Sequence, residues 1–241
     1  MSDTNLRRAT PMLDFNAASI ETLITARGWR NLPASERIGA AYDFVRNEIK
    51  FGYNVDDLRR ASEVLADGYG QCNTKATLLM ALLRGLDLPC RLHGFTIHKR
   101  LQRGVVPELI YKIAPQNILH SWVEVRLNDT WITLEGFILD DPMISALQTH
   151  FPNREALCGY GAGTDCLSNP AVEWNGADTF IQKTGINQDF GLFDAPDAFF
   201  KAHQQDFKGL RALLYRYGVR HMMNKRVAAI REGNVPRIPG L

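Results

Sequence analysis

Hydrophobic residues in the middle of the chain recur every three or four positions, which is the spacing of one face of a helix. They predict a central helix that begins near residue 72 and ends between Gly85 and Pro89, two residues typical of helix ends. The same spacing predicts a helix over residues 35–49 and shorter helices over residues 19–27 and 61–65. The apolar positions of the central helix are Ala76, Leu79, Met80, Leu82 and Leu83.

After the central helix, apolar and polar residues alternate, which is the period of a half-buried strand. The turn residues Asn128 and Asp129 join the last two predicted strands in a hairpin. Residues 99–119 contain two prolines and interrupt the alternation, so we expect a partly helical insertion there. The predicted strands cover residues 91–97, 120–127 and 131–137.

The two ends of the chain show weaker patterns. Residues 1–15 are expected to form a loose arm, and residues 170–200, rich in Asp, Asn, Gly and aromatic residues, a wrapping segment or lid. Residues 206–231 are predicted to be helical and strongly basic. A solvated helix face is the preferred explanation, with a site for an anionic partner as the alternative. The basic residues are Lys208, Arg211, Arg216, Arg220, Lys225, Arg226 and Arg231.

Composition narrows the range of functions. The chain has 241 residues, 45% of them hydrophobic, which suits one large domain or a core with an extension. Its net charge of +2 gives no reason to expect binding to nucleic acid or membranes. No apolar run approaches the roughly 20 residues that span a bilayer, and the sequence begins without a hydrophobic leader. The four cysteines lack CxxC spacing, so we expect free thiols in the cytoplasm, with neither disulfides nor zinc.

One of these cysteines, Cys72, stands at the predicted start of the central helix. Gly68 and Gly70 precede it and allow a sharp turn of the backbone. Unpaired N–H groups and the dipole at a helix N-terminus favour an anion, so we expect a lowered pKa and a reactive thiolate near neutral pH. The alternative is a small cysteine packed in the core, which the polar neighbours Gln71 and Asn73 make less favourable.

A cysteine nucleophile needs a base beside its sulfur and a group that orients the base. If the hairpin has a two-residue turn, Leu127 lies opposite Thr130. Glu135 then lies opposite Trp122 and diagonal to His120 on the same face. There its carboxylate would accept the imidazole N–H and fix the tautomer. Taken alone, His120 also suits a structural role, and Glu135 that of a solvated carboxylate. A one-residue change of register would separate the two.

Three blocks of this sequence resemble the transglutaminase-like core. They are Tyr69-Gly-Gln-Cys72 with the leucine-rich helix and Leu88-Pro-Cys-Arg91, then His120-Ser-Trp-Val-Glu-Val, then Trp131-Ile-Thr-Leu-Glu135. The resemblance covers about residues 38–140 and implies an α+β, papain-like fold, with the cysteine helix packed on an antiparallel sheet. It gives Cys72 the position of the nucleophile and His120 that of the base. Glu135 stands where the family usually has aspartate.

The resemblance implies acyl transfer through a thioester on Cys72. The oxyanion would be held by the backbone N–H of Cys72 and a second donor, for which Tyr53 and Gln71 are candidates. Trp122 is a candidate for contact with the substrate. The substrate would be a peptide, a protein or a small amide, with hydrolysis preferred to transfer to an amine. This mechanism needs no metal or organic cofactor.

Two other functions stay open. The first is a binding module that keeps the fold without turnover, which Glu135 supports and the intact Cys72 and His120 oppose. The second is nucleic-acid binding through the basic helix, which predicts a steep salt dependence and has no other support. For the domains, we expect a catalytic core with N-terminal helices over residues 1–140. Residues 141–241 would form a mixed C-terminal extension or lid, packed on the same domain.

Overall fold

The structure of the chain, a computed structural model, describes residues 3–204 and 209–238. It confirms the four predicted helices before residue 90 to within two residues, and the second of them continues as a π-helical turn over Phe44–Glu48. The described part of the helix predicted over residues 206–231 is helical from Leu210 to Arg231. Lys208 and the side chain of Arg211 lie outside the described residues. The helices are α1 (Ala18–Ala26), α2 (Ala34–Asp43), α3 (Ala61–Asp67), α4 (Cys72–Gly85), α5 (Glu108–Ile113), α6 (Asp141–His150), α7 (Pro196–Ala202), α8 (Leu210–Leu214) and α9 (Arg220–Arg231).

The strands build an antiparallel sheet with the order β5-β4-β3-β8. A parallel pair of β1 with β2 precedes α4, and an antiparallel pair of β6 with β7 follows α6. The last three residues of the expected insertion, 117–119, belong to β4. The strands are β1 (Lys50–Phe51), β2 (Tyr69–Gly70), β3 (Cys90–His98), β4 (Asn117–Leu127), β5 (Thr130–Leu134), β6 (Leu157–Gly159), β7 (Ala162–Thr164) and β8 (Ile186–Phe193).

The hairpin of β4 and β5 has the predicted register. Leu127 pairs with Thr130, and the pairing continues to Val123 with Leu134. Both turn residues, Asn128 and Asp129, have positive φ angles of 48° and 63°, which is the backbone conformation of the tightest hairpin turns. Together with the packing of α4 on β4, this arrangement confirms the predicted α+β fold.

Helix α4 is the centre of the fold. It packs on α2, α3 and strand β4, and all its residues from Cys72 to Arg84 are buried. Two of the buried residues, Lys75 and Arg84, have basic side chains. Lys75 donates hydrogen bonds to the backbone carbonyls of Arg46 and Ile138, at 3.2 and 3.0 Å. Burial lowers the pKa of this lysine to about 7, because the charged form loses its water.

The expectation of a loose N-terminal arm is wrong. Leu6 and Leu13 are buried, and the Leu6 carbonyl accepts a hydrogen bond from the N–H of Cys90. The buried guanidinium of Arg84 donates to the backbone carbonyls of Arg8, Cys90 and Asp194. The arm is therefore held by the C-terminal end of α4. The sequence pattern missed this because the contacts follow no helix or strand period.

The C-terminal residues pack against the first half of the chain. Strand β8, in the segment expected to be a wrapping segment or lid, is an edge strand of the sheet. Helix α9 packs on α6. Its Asn224 side chain bonds both the N–H and the carbonyl of Tyr53, at 2.7 and 3.0 Å. Arg231 binds the Asp140 carboxylate and the Phe51 carbonyl. Arg231 thus stabilises the fold, whereas we expected the basic residues of this helix to form a solvated face.

Two kinds of feature, a membrane-spanning helix and a metal-binding group of side chains, are absent from the described residues. None of the helices in residues 3–204 and 209–238 is both long and apolar enough to cross a membrane. Within the same ranges, no three His, Cys, Asp or Glu side chains form a group that could hold a metal ion.

A histidine cluster joins β3, β4 and β8 on one side of the sheet. His93 contacts the carboxylates of Glu124 and Asp189 through its two ring nitrogens, each at 2.9 Å. Glu124 also accepts a hydrogen bond from Arg91 at 2.7 Å. Burial alone would lower the pKa of His93, but the hydrogen bonds and charges of the two carboxylates outweigh it and raise this pKa.

We expect this cluster to make stability depend on pH. The imidazolium contribution is complete below about pH 6.5, the ordinary histidine pKa, and is lost as the pH rises through the higher pKa of the folded protein. Above pH 6.5, the free energy of unfolding should therefore fall more steeply in the wild type than in His93→Gln. Urea unfolding at several pH values measures this, with His221→Gln, at an exposed position, as the control. Equal slopes in wild type and His93→Gln would contradict the assignment.

Candidate active site

The backbone before α4 is shaped to bring Cys72 to the start of the helix. Gly68 ends α3 with a φ of 68°, a conformation that favours glycine. Gly70 is needed for a different reason, because a Cβ there would lie 2.7 Å from the Thr74 hydroxyl and 2.9 Å from Cγ of Lys75. The close approach of β2 to the first turn of α4 thus depends on the missing side chain.

A network of buried polar groups fixes this first turn. The Thr74 hydroxyl accepts the N–H of Gln71 at 3.1 Å and donates to the Asn54 side chain at 2.6 Å. Gln71 accepts the N–H of Asn54 at 2.8 Å and donates to Asp57 at 2.9 Å. Gln71, the residue before Cys72, is therefore fixed by hydrogen bonds to Thr74, Asn54 and Asp57. These bonds also fix the backbone from which the Cys72 side chain extends.

Asn73 joins this turn to the strand that carries His120. Its side-chain N–H group donates to the Leu119 carbonyl at 3.2 Å, and its oxygen accepts the Ser121 hydroxyl at 2.9 Å. The two partners are the residues on either side of His120. Asn73 thus fixes the segment of β4 that carries His120.

His120 and Glu135 meet in the interior, as the hairpin register predicts. Both side chains are fully buried, and Nε2 of His120 lies 3.2 Å from Oε1 of Glu135. The angle is poor for a hydrogen bond, and neither ring nitrogen makes one to any residue in the described part of the chain. Strand pairing ends at Leu134, so Glu135 lies one residue beyond the hairpin.

The Glu135 carboxylate is held by a segment from the C-terminal part of the chain. It accepts the backbone N–H groups of Ile181 and Gln182, the latter at 2.9 and 2.8 Å to its two oxygens. The N–H of Glu135 donates to the Thr179 carbonyl at 3.1 Å. These two backbone donors hold the carboxylate in place beside the imidazole.

The electrostatics of Cys72 differ from the sequence expectation. Its thiol is 9% exposed, and burial raises its pKa, as do the charges of Asp57 and Glu135. The N–H groups of Asn73 and Ser121 lower it, but burial outweighs them. The expected lowering by the helix N-terminus is therefore wrong for this structure. A thiolate here would need a cation beside it, which an imidazole that has taken the thiol proton provides.

A large cavity opens beside the sulfur. It has a volume of about 720 Å³, and its walls include Cys72, Tyr53, Gln71 and Asp57. Burial raises the pKa of Tyr53 well above its ordinary value, so its hydroxyl stays protonated and able to donate. Burial also raises the pKa of Asp57, although Gln71 and Asn73 donate hydrogen bonds to it.

Trp122, the third candidate for substrate contact, is not among the residues that line this cavity. Its ring packs against Phe95 with 4.1 Å between ring centres, and against His93 at 5.3 Å. Its indole nitrogen contacts Glu124 at 3.4 Å. The structure thus brings Cys72, Tyr53 and Gln71 to the cavity, and it brings His120 to Glu135.

A comparison with family models matches residues 24–136 to the transglutaminase-like superfamily. The chain carries a transglutaminase-like domain. A comparison with curated proteins found no match. Among solved structures, the domain is similar to a candidate cysteine protease from Cytophaga hutchinsonii, with 17% identity and a TM-score of 0.33. That match covers 58% of this chain and 49% of the other, so the chain spans about half the length of that protein.

The site of the transglutaminase-like domain includes residues, some from outside the domain, that the sequence patterns did not single out. Asp57 follows another aspartate in a polar stretch and shows no feature of its own. In the sequence, Asn73 is distinguished only as a polar neighbour of Cys72. The Ile181 and Gln182 contacts use backbone groups, for which a single sequence carries no signal. A search for polar residues directly after the cysteine would have found Asn73.

We expect Glu135 to support the domain as well as its site. Glu135→Ala leaves two buried N–H groups without an acceptor, each costing about 1–3 kcal/mol. The free energy of unfolding should fall by about 2–5 kcal/mol, and by less in Glu135→Asp, which keeps the charge on a shorter side chain. Urea unfolding measures this, with the exposed Glu36→Ala as a control that changes by at most about 0.5 kcal/mol. A Glu135→Ala protein as stable as that control would show that these hydrogen bonds contribute nothing.

Proposed function

We propose that the chain is a cysteine-dependent acyl-transfer enzyme that cleaves amides through a Cys72-His120-Glu135 triad. One observation carries the proposal. Asn73, next to the cysteine, holds the residues on both sides of His120, while His120 lies 3.2 Å from a carboxylate that accepts two backbone N–H groups. The three side chains come from one helix and one hairpin that pack together, and the nucleophile lines a cavity that can admit a substrate.

In the proposed reaction, the Cys72 sulfur attacks the amide carbonyl while its proton passes to His120. Glu135 stabilises the imidazolium. The tetrahedral intermediate collapses as the C–N bond breaks, and His120 gives the proton to the leaving amine. Water then attacks the thioester with His120 as base, which releases the carboxylic acid and restores the thiol. An amine in place of water would give transfer, which we place second to hydrolysis.

The oxyanion would be held by the backbone N–H of Cys72 and the hydroxyl of Tyr53. Tyr53 lines the same cavity as the sulfur, and its raised pKa keeps the donor proton in place. Gln71 is the weaker candidate, because its amide group already bonds Asn54 and Asp57. The proposal includes a peptide, protein or small amide as substrate, and a cytoplasmic location, where the four free cysteines would stay reduced.

A binding module without turnover is the second candidate. The raised pKa of Cys72 favours it, because a buried neutral thiol is a weak nucleophile. The two candidates differ in what His120 does to the thiol. In an enzyme, loss of His120 lowers the reactivity of Cys72. In a binding module, the thiol is equally unreactive with and without it.

We expect iodoacetamide to alkylate Cys72 at pH 7 at least about tenfold faster in the wild type than in His120→Ala, because the imidazole takes the thiol proton. Mass spectrometry of the peptides gives the rate for each cysteine. The exposed Cys166 in the same chain is the internal reference, and its rate should not change. Equal Cys72 rates in the two proteins would favour the binding module.

Turnover provides the second test. A panel of amides and activated esters should leave an acyl group on Cys72, detected as added mass on that peptide, and should release acid at a rate that His120→Ala lowers about 10²–10⁴-fold. Cys72→Ala should abolish both readouts, whereas Cys166→Ala should keep them. Acid released equally fast by Cys72→Ala would remove the cysteine from the mechanism.

A further inference from the structure

The cavity beside Cys72 has an apolar floor. The buried polar residues Gln71, Asn73 and Gln182 also line it, but most of its buried lining residues are hydrophobic, and six of them come from separate parts of the chain. They are Phe51, Ile97, Leu101, Val106, Phe200 and Met223. At about 720 Å³, the space lies within the range of about 300–1,000 Å³ that is typical of pockets for small ligands. The predominance of apolar side chains favours a hydrocarbon group over a polar one in this space.

The rim of the cavity is apolar too, although it faces solvent. Leu58, Ile113, Leu214 and Met222 all line the cavity, with exposed fractions of 57%, 77%, 57% and 46%. They belong to the loop before α3 and to α5, α8 and α9. Large exposed apolar side chains that converge from several elements around one opening mark a binding site. The rim therefore continues the apolar character of the floor out to the surface.

The charged groups of the cavity are mostly acidic. Asp56 and Asp57 line it, and Asp57 lies near the Cys72 sulfur, whose pKa its charge raises. Arg216, which also lines the cavity, is exposed. An acidic group beside the nucleophile disfavours a carboxylate or phosphate there and favours an amine. Since Asp56 is exposed and Asp57 only half-buried, the leaving amine has a route to solvent on this side.

We propose that this cavity binds the acyl part of the substrate and that this part is a hydrocarbon chain, so that the substrates are fatty-acyl amides with a neutral or cationic amine part. The carbonyl lies at Cys72, the chain runs over the buried floor, and the amine lies towards Asp57. The inference rests on the proposed function, because it deepens the substrate of the same site. It assigns the hydrocarbon to the acyl side, since that side stays attached during the thioester stage and the amine must leave.

The first test uses N-acyl 4-nitroanilides from acetyl to dodecanoyl, each below the concentration at which it aggregates. We expect kcat/KM to rise about fourfold for each methylene until the floor is covered, and then to level off. Acetyl and dodecanoyl anilides cleaved with equal kcat/KM would overturn the assignment of the cavity, while the proposed function would stand.

A matched pair of variants tests where the chain lies. Gly218 borders the cavity, and no atom outside its own helical segment lies within 4 Å of the place that a Cβ would occupy. Gly218→Phe should take up part of the space and shift the preference towards shorter acyl groups. Gly218→Ala makes the same change in the backbone without the bulk and should keep the wild-type preference. The same length profile in both variants would place the chain elsewhere.

A binding measurement separates the two proposals. Cys72→Ala lacks the nucleophile, so calorimetry with the acetyl and dodecanoyl anilides reports binding alone. We expect dodecanoyl anilide to bind at least about 100-fold more tightly. Such binding, with no turnover by the wild type, would keep the cavity assignment and overturn the proposed function. Equal binding of the two anilides would overturn the cavity assignment.

Discussion

The fold depends on one constraint, which is that helix α4 is buried on every side and still carries polar groups. A buried polar group without a partner is costly, so each such group has to be met by a specific part of the chain. Asn73 is met by β4, and Lys75 by the carbonyls of Arg46 and Ile138. Arg84 is met by the N-terminal arm and the segment after β8. Because Ile138 follows Glu135 closely, the hydrogen bonds that satisfy the helix also hold the segments of His120 and Glu135 against it.

Burial has a second effect on this site, which acts against reactivity. It raises the pKa of Cys72, so a thiolate forms only with a neighbouring cation. The same exclusion of water strengthens every interaction of an imidazolium with Glu135 once it exists. The thiol therefore stays protonated at rest, and in the proposed reaction it gives its proton to His120.

The sequence predicted what depends on local periods. The spacing of Leu79, Met80 and Leu83 placed α4, and the two-residue turn fixed the register that brings Glu135 to His120. The departure from the usual aspartate is explained by the structure, because Glu135 lies past the end of the strand, where Ile181 and Gln182 hold the longer side chain. These backbone donors, the buried arm and the apolar cavity depend on contacts between distant segments, which leave no periodic signal in one sequence.

The two residues that hold the Glu135 carboxylate follow it by 46 and 47 positions, and this orders events during synthesis. Glu135 is made before Ile181 and Gln182, whose N–H groups hold its carboxylate. A nascent chain that ends before residue 181 has its thiol but lacks the donors that hold the acid. A ribosome therefore makes most of this protein before the contacts around the Glu135 carboxylate can form.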